Sequence, residues 1–438
     1  MYLCDMKTKP IAIKMKKIAF LAASVFITLT GYTQTTLQQC QQAAEKNYPL
    51  IRQYDLIGRT TELTVANIGR GWLPQVTATA QATLQSRVTA WPEQMQTLLQ
   101  QMGVDLKGLK KDQYRVGIDV NQMLYDGGSI ARQKEIARRQ ADVQQAQTDV
   151  TLYAVRQRVN ELYFGLLLLD EQLSLNRDLK TLLAANEKKL QSLYRRGVAA
   201  ECDYNTVRAE RLNTEQQTTD LSAQRTTLAR VLSAFCGIEV DSVVKPVFTQ
   251  ADPHTNLRPE LRLADAQLRL ADAQERMLDT ALRPRLSLFA QGYYGYPGLN
   301  MFEDMMRHRW SLNGLVGARL TWNIGALYTR RNDKAKLQLQ RLQAENSRDV
   351  FLFNNRLQQL QQSDDIERLR ALVDSDNEII TLRASVRHAA ESKLSHGIID
   401  VNELIKEINA ENAARVKQSI HQIEMLKQIY DLKYTTNQ

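Results

Sequence analysis

Apolar residues along this chain keep two different periods, and the switches between them mark out its elements. Over 37–72 they return at helical spacing, as in Leu50, Tyr54, Ile57, Leu63 and Ala66, which predicts a helix stopped by Pro74. The period then drops to two. Val76, Ala78, Ala80, Ala82 and Leu84 alternate with Gln75, Thr77, Thr79, Gln81, Thr83 and Gln85, and a partner run sets Val116, Ile118, Val120 and Leu124 against Gly117, Asp119 and Asn121. Both read as strands with one apolar and one polar face, forming a hairpin over about 75–125. From about 128 to 196 the helical period returns, and Leu152, Val155, Val159, Leu162, Leu166, Leu169 and Leu173 make a heptad seam of the coiled-coil kind. A helix of that length reaches about 100 Å and needs a long partner. It ends at Gly197, and a return helix follows over about 201–236.

The order then repeats. Pro49 recurs as Pro259 and Pro74 as Pro284, each 210 positions on, while Gly117 recurs as Gly317 and Gly197 as Gly397, each 200 positions on. A second hairpin over about 285–325 sets Leu286, Leu288 and Ala290 opposite Arg285, Ser287 and Gln291. Its other strand sets Leu312, Val316, Ala318, Leu320, Trp322 and Ile324 opposite Asn313, Arg319, Thr321 and Asn323. A long helix over about 326–396 carries Val350, Phe353, Leu357 and Leu360 in one seam and Ile366, Leu369 and Val373 in another; a return helix follows over about 400–433. The chain is thus read as two structural repeats, 35–245 and 256–438, joined by a linker at 246–255. The offset changes inside the hairpin connections, over about 86–114 and 295–310, so the first copy has the longer one.

Composition agrees: Pro (9) and Gly (19) are sparse in 438 residues, as long helices require. The net charge of +9 is interspersed through helical stretches, with no basic run flanked by aromatics, which argues against nucleic acid as a partner. Lys16 and Lys17 precede the apolar run 18–29, with Thr30, Gly31 and Thr33 after it, the pattern of a secretory signal peptide occupying 1–34, with cleavage near Gln34 and a better start at Met15 than at Met1. No cysteine follows the run in the position of a lipid anchor. Of the remaining cysteines, Cys202 and Cys236 lie too far apart on one helix to bridge, while a Cys40–Cys236 pair and buried free thiols both stay open.

Strands of about ten residues with alternating faces fit a membrane barrel, or alternatively a soluble sandwich. Tyr293, Tyr294, Tyr296, Trp310 and Trp322 near the strand ends are candidates for an interfacial belt. Two hairpins supply four strands, too few to close a barrel, and open edges are not tolerated in lipid. Two copies of the chain would give eight strands and three would give twelve.

The strings NYPLI and LRPEL, GWLPQVTA and ALRPRLSL at the helix-to-strand junctions Pro74 and Pro284, and YRRGVAAECDYNTVRAE and LSHGIIDVNELIKEINAE at the helix-turn tips Gly197 and Gly397 stand in matching order in the two copies. The chain resembles the TolC-type outer-membrane efflux protein family over essentially its whole mature length. The resemblance implies an α+β membrane protein: a homotrimer whose twelve-stranded β-barrel, four strands per chain, sits in outer-membrane lipid and continues into a periplasmic helical coiled-coil barrel. It further implies an exit duct for cargo passed on by an inner-membrane transporter and a periplasmic adaptor (membrane fusion) protein, with no cofactor. In the family, carboxylates six residues after each turn glycine line a constriction at the periplasmic entrance. Those positions are Asp203 and Glu403 here, while a further family carboxylate falls on Lys406, which departs from the pattern. A ring of such acids in a narrow throat favours cations; equally, acids in the first turn of a helix favour its dipole. Tyr194 and Arg195, just before the first turn, are additional gate candidates.

The five histidines show no His-Glu-x-x-His spacing, and there is no phosphate loop or nucleophile elbow, so the chain is not read as an enzyme and no metal site is assigned. The competing reading is a secreted soluble coiled-coil scaffold.

Overall fold

A computed structural model of the chain describes residues 35–103, 108–247 and 256–437; the expected signal peptide and most of the expected linker lie outside them. The first copy begins with α1 (Leu37–Asn47) and α2 (Arg52–Gly69), followed by β1 (Gln75–Leu84), α3 (Glu93–Gln101), β2 (Asp112–Tyr125), α4 (Ser129–Arg195) and α5 (Glu201–Cys236). The second runs through α6 (Pro259–Leu278), β3 (Arg285–Tyr296), α7 (Met301–Arg307), β4 (Ser311–Thr321), α8 (Ala326–Ser395) and α9 (Val401–Thr436). The long helices hold 67 and 70 residues, and each return helix 36.

Two local departures from the sequence reading have plain causes. The leading helix over 37–72 is broken, because Pro49 excludes the helical conformation from Tyr48, which sits at ψ 128° and caps α1 before a single 3-10 turn at Pro49–Ile51. The hairpin connections, read as loops, contain the short helices α3 and α7.

The chain divides into two compact units that cut across the repeats. One comprises the described residues of Met1–Ile51, Leu152–Asn256 and Leu357–Gln438; the other is Arg52–Thr151 with Leu257–Arg356.

In the first unit, the predicted α4 seam is the core. Leu152, Val155, Val159, Leu162, Leu166 and Leu173 are buried, with Leu37, Cys40 and Ala44 of α1, Leu232 and Cys236 of α5, and Ile423 and Leu426 of α9. Cys40 and Cys236 meet there as buried free thiols: Cys236 Sγ lies 3.4 Å from the Cys40 carbonyl oxygen, whereas Cys202 is free and exposed. A second cluster nearer the helix turns joins Leu179, Leu183 and Leu190 of α4 and Val207 of α5 to Ala390 of α8 and Leu404, Ile405 and Ile408 of α9.

In the second unit, the strands form one antiparallel sheet in the order β1-β2-β3-β4. The two hairpins are therefore joined edge to edge by the β2–β3 ladder, in which Gly117 faces Tyr293 and Val120 faces Ala290. A register shift between Met123 and Tyr125 ends the strict alternation of β2.

Candidate functional site: the helix turns and the sheet

Both long helices end in the same way. Gly197 takes φ +76° and Gly397 φ +73°, conformations that L side chains adopt only with strain. At the first turn the Gly197 N–H donates to the Tyr194 carbonyl at 2.9 Å and the Val198 N–H to the Leu193 carbonyl at 2.9 Å; at the second, Gly397 donates to Leu394 and Ile398 to Lys393, each at 3.0 Å. These are Schellman closures, which satisfy carbonyls that a helix end otherwise leaves open.

Asp203 and Glu403 occupy the third positions of α5 and α9. The Asp203 carboxylate accepts from the Ala200 N–H at 3.2 Å, closing the first turn of its helix. Glu403 does not cap: its own N–H donates to Asp400 Oδ1 at 2.9 Å, and its exposed carboxylate instead takes Lys406 Nζ at 3.4 Å. Tyr194 and Arg195 are exposed at the end of α4. The junction prolines precede β1 and β3 directly, each after a short 3-10 turn.

Behind the tips lie two ion-pair clamps that the sequence reading did not single out. In the first copy Arg211 of α5 donates to Glu187 of α4 at 2.5 Å and to Glu215 at 3.3 Å. In the second, Arg387 of α8 donates to Glu411 of α9 at 2.5 Å and to Glu391 at 2.6 Å, and Arg415 donates to Glu411 at 2.7 Å. Burial pushes the Glu411 carboxyl up, but hydrogen bonds from Arg387 and Arg415 more than reverse this and hold it below the ordinary carboxylate range. Their signal was available: the two clamps sit 200 positions apart with their charges exchanged. Two exposed apolar residues were also missed. Val198 and Ile398, one position past each turn glycine, are 73% and 70% exposed.

The sheet inverts the usual order of a globular protein. Its register lines up Val76, Val120 and Ala290 with Val316, and Tyr294 with Leu312, on one face; that face is open, with Leu312 and Val316 83% and 79% exposed. The opposite face carries Thr77, Thr79, Asp119, Arg115, Ser287 and Arg319. Arg115 is half-buried there and Tyr293 buried. The expected aromatic belt therefore divides. Tyr294 stays on the apolar face with Trp310 against it, ring centroids 5.4 Å apart, and Trp322 is exposed. Tyr293 belongs to the polar face, and Tyr296 packs with Leu109 and Met305 in the hairpin connections. Edge strands β1 and β4 each have one ladder partner.

Among the described residues no helix is long and apolar enough to cross a membrane, and no group of His, Cys, Asp and Glu is placed to hold a metal ion.

This fold is shared with outer-membrane channels. OprN, an outer-membrane channel, superposes with a TM-score of 0.65 at 16% identity, covering 91% of this chain and 89% of its own. The outer membrane protein VceC of Vibrio cholerae gives 0.63 at 12% identity (91% and 95%), and the CmeC outer membrane channel of Campylobacter jejuni 0.61 at 12% (91% and 85%). No curated protein matched the sequence. The sequence model of the family described as outer membrane efflux protein matches residues 40–237, which spans most of the first copy. The first copy is thus similar in sequence to that family, and the fold is that of outer-membrane channels.

Proposed function

We propose that this chain is one subunit of a homotrimeric exit duct, passively conducting cargo from the periplasm through the outer membrane. The observation that carries this reading is the sheet: an apolar face left open to the surroundings, a polar face on the other side, and two edges without partners. In water such a face is costly at about 25 cal/mol per Å² of apolar surface; in lipid it is the favourable side. The unpaired edges then require closure, β4 of one copy against β1 of the next, and three copies give twelve strands. A soluble scaffold would need some other cover for that face.

On this reading the helices project into the periplasm and their turns form the entrance. Asp203 and Glu403, with Tyr194 and Arg195 beside the first turn, are the gate residues. Lys406 pairs with Glu403 and so offsets part of the negative potential at the throat, which makes cation preference there weaker than a carboxylate ring alone would give. Gly197 and Gly397 fix the turns, and the exposed Val198 and Ile398 supply apolar contacts for a periplasmic adaptor, through which an inner-membrane transporter delivers cargo.

The test is fractionation followed by reconstitution. The protein is expected only in outer-membrane fractions, with heat-modifiable migration in mild detergent, and a mature protein soluble without detergent would end the channel reading. In planar bilayers Glu403→Lys is expected to lower cation preference; unchanged selectivity and conductance would remove Glu403 from the gate.

A further inference from the structure

On the polar face of the sheet one arrangement occurs twice. Gly117 lies directly across the β2–β3 ladder from Tyr293, and Gly317 directly across the β3–β4 ladder from Phe289. Neither glycine has room for a side chain: a Cβ on Gly117 would stand 2.7 Å from Tyr293 Cβ, and one on Gly317 2.7 Å from Phe289 Cζ. The space each gives up is filled by the facing residue. Two positions from each glycine an arginine then lies over that ring, Arg115 with its guanidinium carbon 4.0 Å from the Tyr293 centroid and Arg319 5.0 Å from that of Phe289. The two glycines stand 200 positions apart in the duplicated chain, but the arginines do not: the counterpart of Arg115 is Leu315 and that of Arg319 is Asp119, and both rings lie on β3, so the two stacks converge on one strand rather than repeating.

Stacking on a ring orients a guanidinium without neutralising it, and leaves its N–H edge and its outer face free. Among the described residues neither Arg115 nor Arg319 forms an ion pair. Arg285 stands on the same face, at the first position of β3. The one acid within the strands on this face is Asp119, which already accepts from the Thr79 hydroxyl at 3.2 Å. Positive charge therefore outnumbers negative on this face. A glutamine or threonine would have provided a polar wall without charge, as β1 does with Gln75, Thr77, Thr79, Gln81 and Thr83.

We infer that the strand segment is an anion-preferring filter, in which Arg115 on Tyr293 and Arg319 on Phe289 bind small organic anions that join a carboxylate or sulfonate to a flat apolar group. The carboxylate takes the guanidinium N–H edge, and the flat group lies along the ring or the outer guanidinium face. Fixed charges in a narrow pore with low-dielectric walls concentrate counter-ions of the opposite sign. The inference rests on the proposed channel with its polar face inward, and it gives the sheet a charge opposite to that of the carboxylates at the helix turns.

The experiment uses the full-length protein reconstituted in planar bilayers under a KCl gradient, with benzoate as the probe anion. Against wild type, Arg115→Gln/Arg319→Gln is expected to lower the chloride-to-potassium permeability ratio about threefold or more, and Arg115→Lys/Arg319→Lys to keep most of it. Benzoate added to wild type is expected to reduce the chloride current at millimolar levels, and this arm needs no variant to fold. A conducting Gln variant with an unmoved reversal potential, or wild-type current indifferent to benzoate, would overturn the filter while leaving the channel intact. A wild type that conducts nothing would overturn the channel and the filter together.

Discussion

The two helical hairpins that end at Gly197 and Gly397 occupy equivalent places in the repeat, yet they are held together differently. At one level Leu183 of α4 and Val207 of α5 are both buried in the first copy; 200 positions on, Arg383 and Glu407 form an ion pair at 3.4 Å instead. At the next level the first copy pairs Glu187 with Arg211 and the second pairs Arg387 with Glu411, the same two positions with the signs exchanged. Duplication has kept the geometry of contact and released its chemistry. An ion pair across two helices requires opposite charges at facing positions, and either polarity meets that requirement. Burial is what differs: the Glu411 side chain is 6% exposed and Glu187 16%.

That difference orders the expected effects. Glu411→Gln strands Arg387 and Arg415 with one fewer charged acceptor in the more enclosed clamp, and is expected to cost about 3–4 kcal/mol in denaturant-induced unfolding in detergent. Leu183→Ala removes a fully buried side chain and is expected to cost about 3 kcal/mol, against under about 1 kcal/mol for the equivalent Arg383→Ala, whose side chain is half in water. Equal losses at 183 and 383 would mean that the ion pair packs as tightly as the leucine, and the contrast between the copies would go. Glu187→Gln is expected to cost about 1–2 kcal/mol, less than Glu411→Gln in the same assay. The double exchange Glu187→Arg with Arg211→Glu gives the first copy the polarity of the second; it is expected to stay within about 1 kcal/mol of wild type, while either single exchange falls well below it.

Acid provides a finer probe of the same contrast. Glu411 is held below its ordinary value in the folded state, so the stability it contributes is complete above the unfolded carboxylate value, about 4.3, and is lost as pH falls through the folded value. The apparent melting temperature is therefore expected to drop below about pH 4.3, and Glu411→Gln to flatten part of that drop. An acid limb identical in the variant would assign the effect to other carboxylates, of which Glu215, hydrogen-bonded by Lys180 and depressed for that reason, is the first to examine.

Much of the candidate site was legible before any coordinates. The turn glycines were visible because a long helix without proline commonly stops at a left-handed residue, whereas the acids at 203 and 403 were singled out only by the family resemblance, six positions after those turns. The clamps were less visible, since a charged residue on a helix reads the same whether it faces water or an arginine on the returning helix. Val350, Phe353, Leu357 and Leu360 are instructive in the other direction. They form the seam their spacing predicts but stand exposed in a single chain, because periodicity reveals that a face wants covering and not what covers it.

The sequence by itself determined the order and kind of the elements, their duplication, the positions of the turns and the two faces of the strands, because each depends on residues within a few positions of one another. Only the tertiary structure decided that β2 lies beside β3 and so merges the two hairpins into one sheet, that Tyr293 turns to the polar face beneath Arg115, that Cys40 meets Cys236, and that Glu187 meets Arg211 and Arg387 meets Glu411 across the helix returns. The β2–β3 ladder and the Cys40–Cys236 contact join residues far apart along the chain. The clamps span a whole helix turn and return. Local periodicity carries no record of such pairings; they are fixed by the packing of helices and the closure of ladders, which select among the many partners that alternating or heptad faces would equally accept.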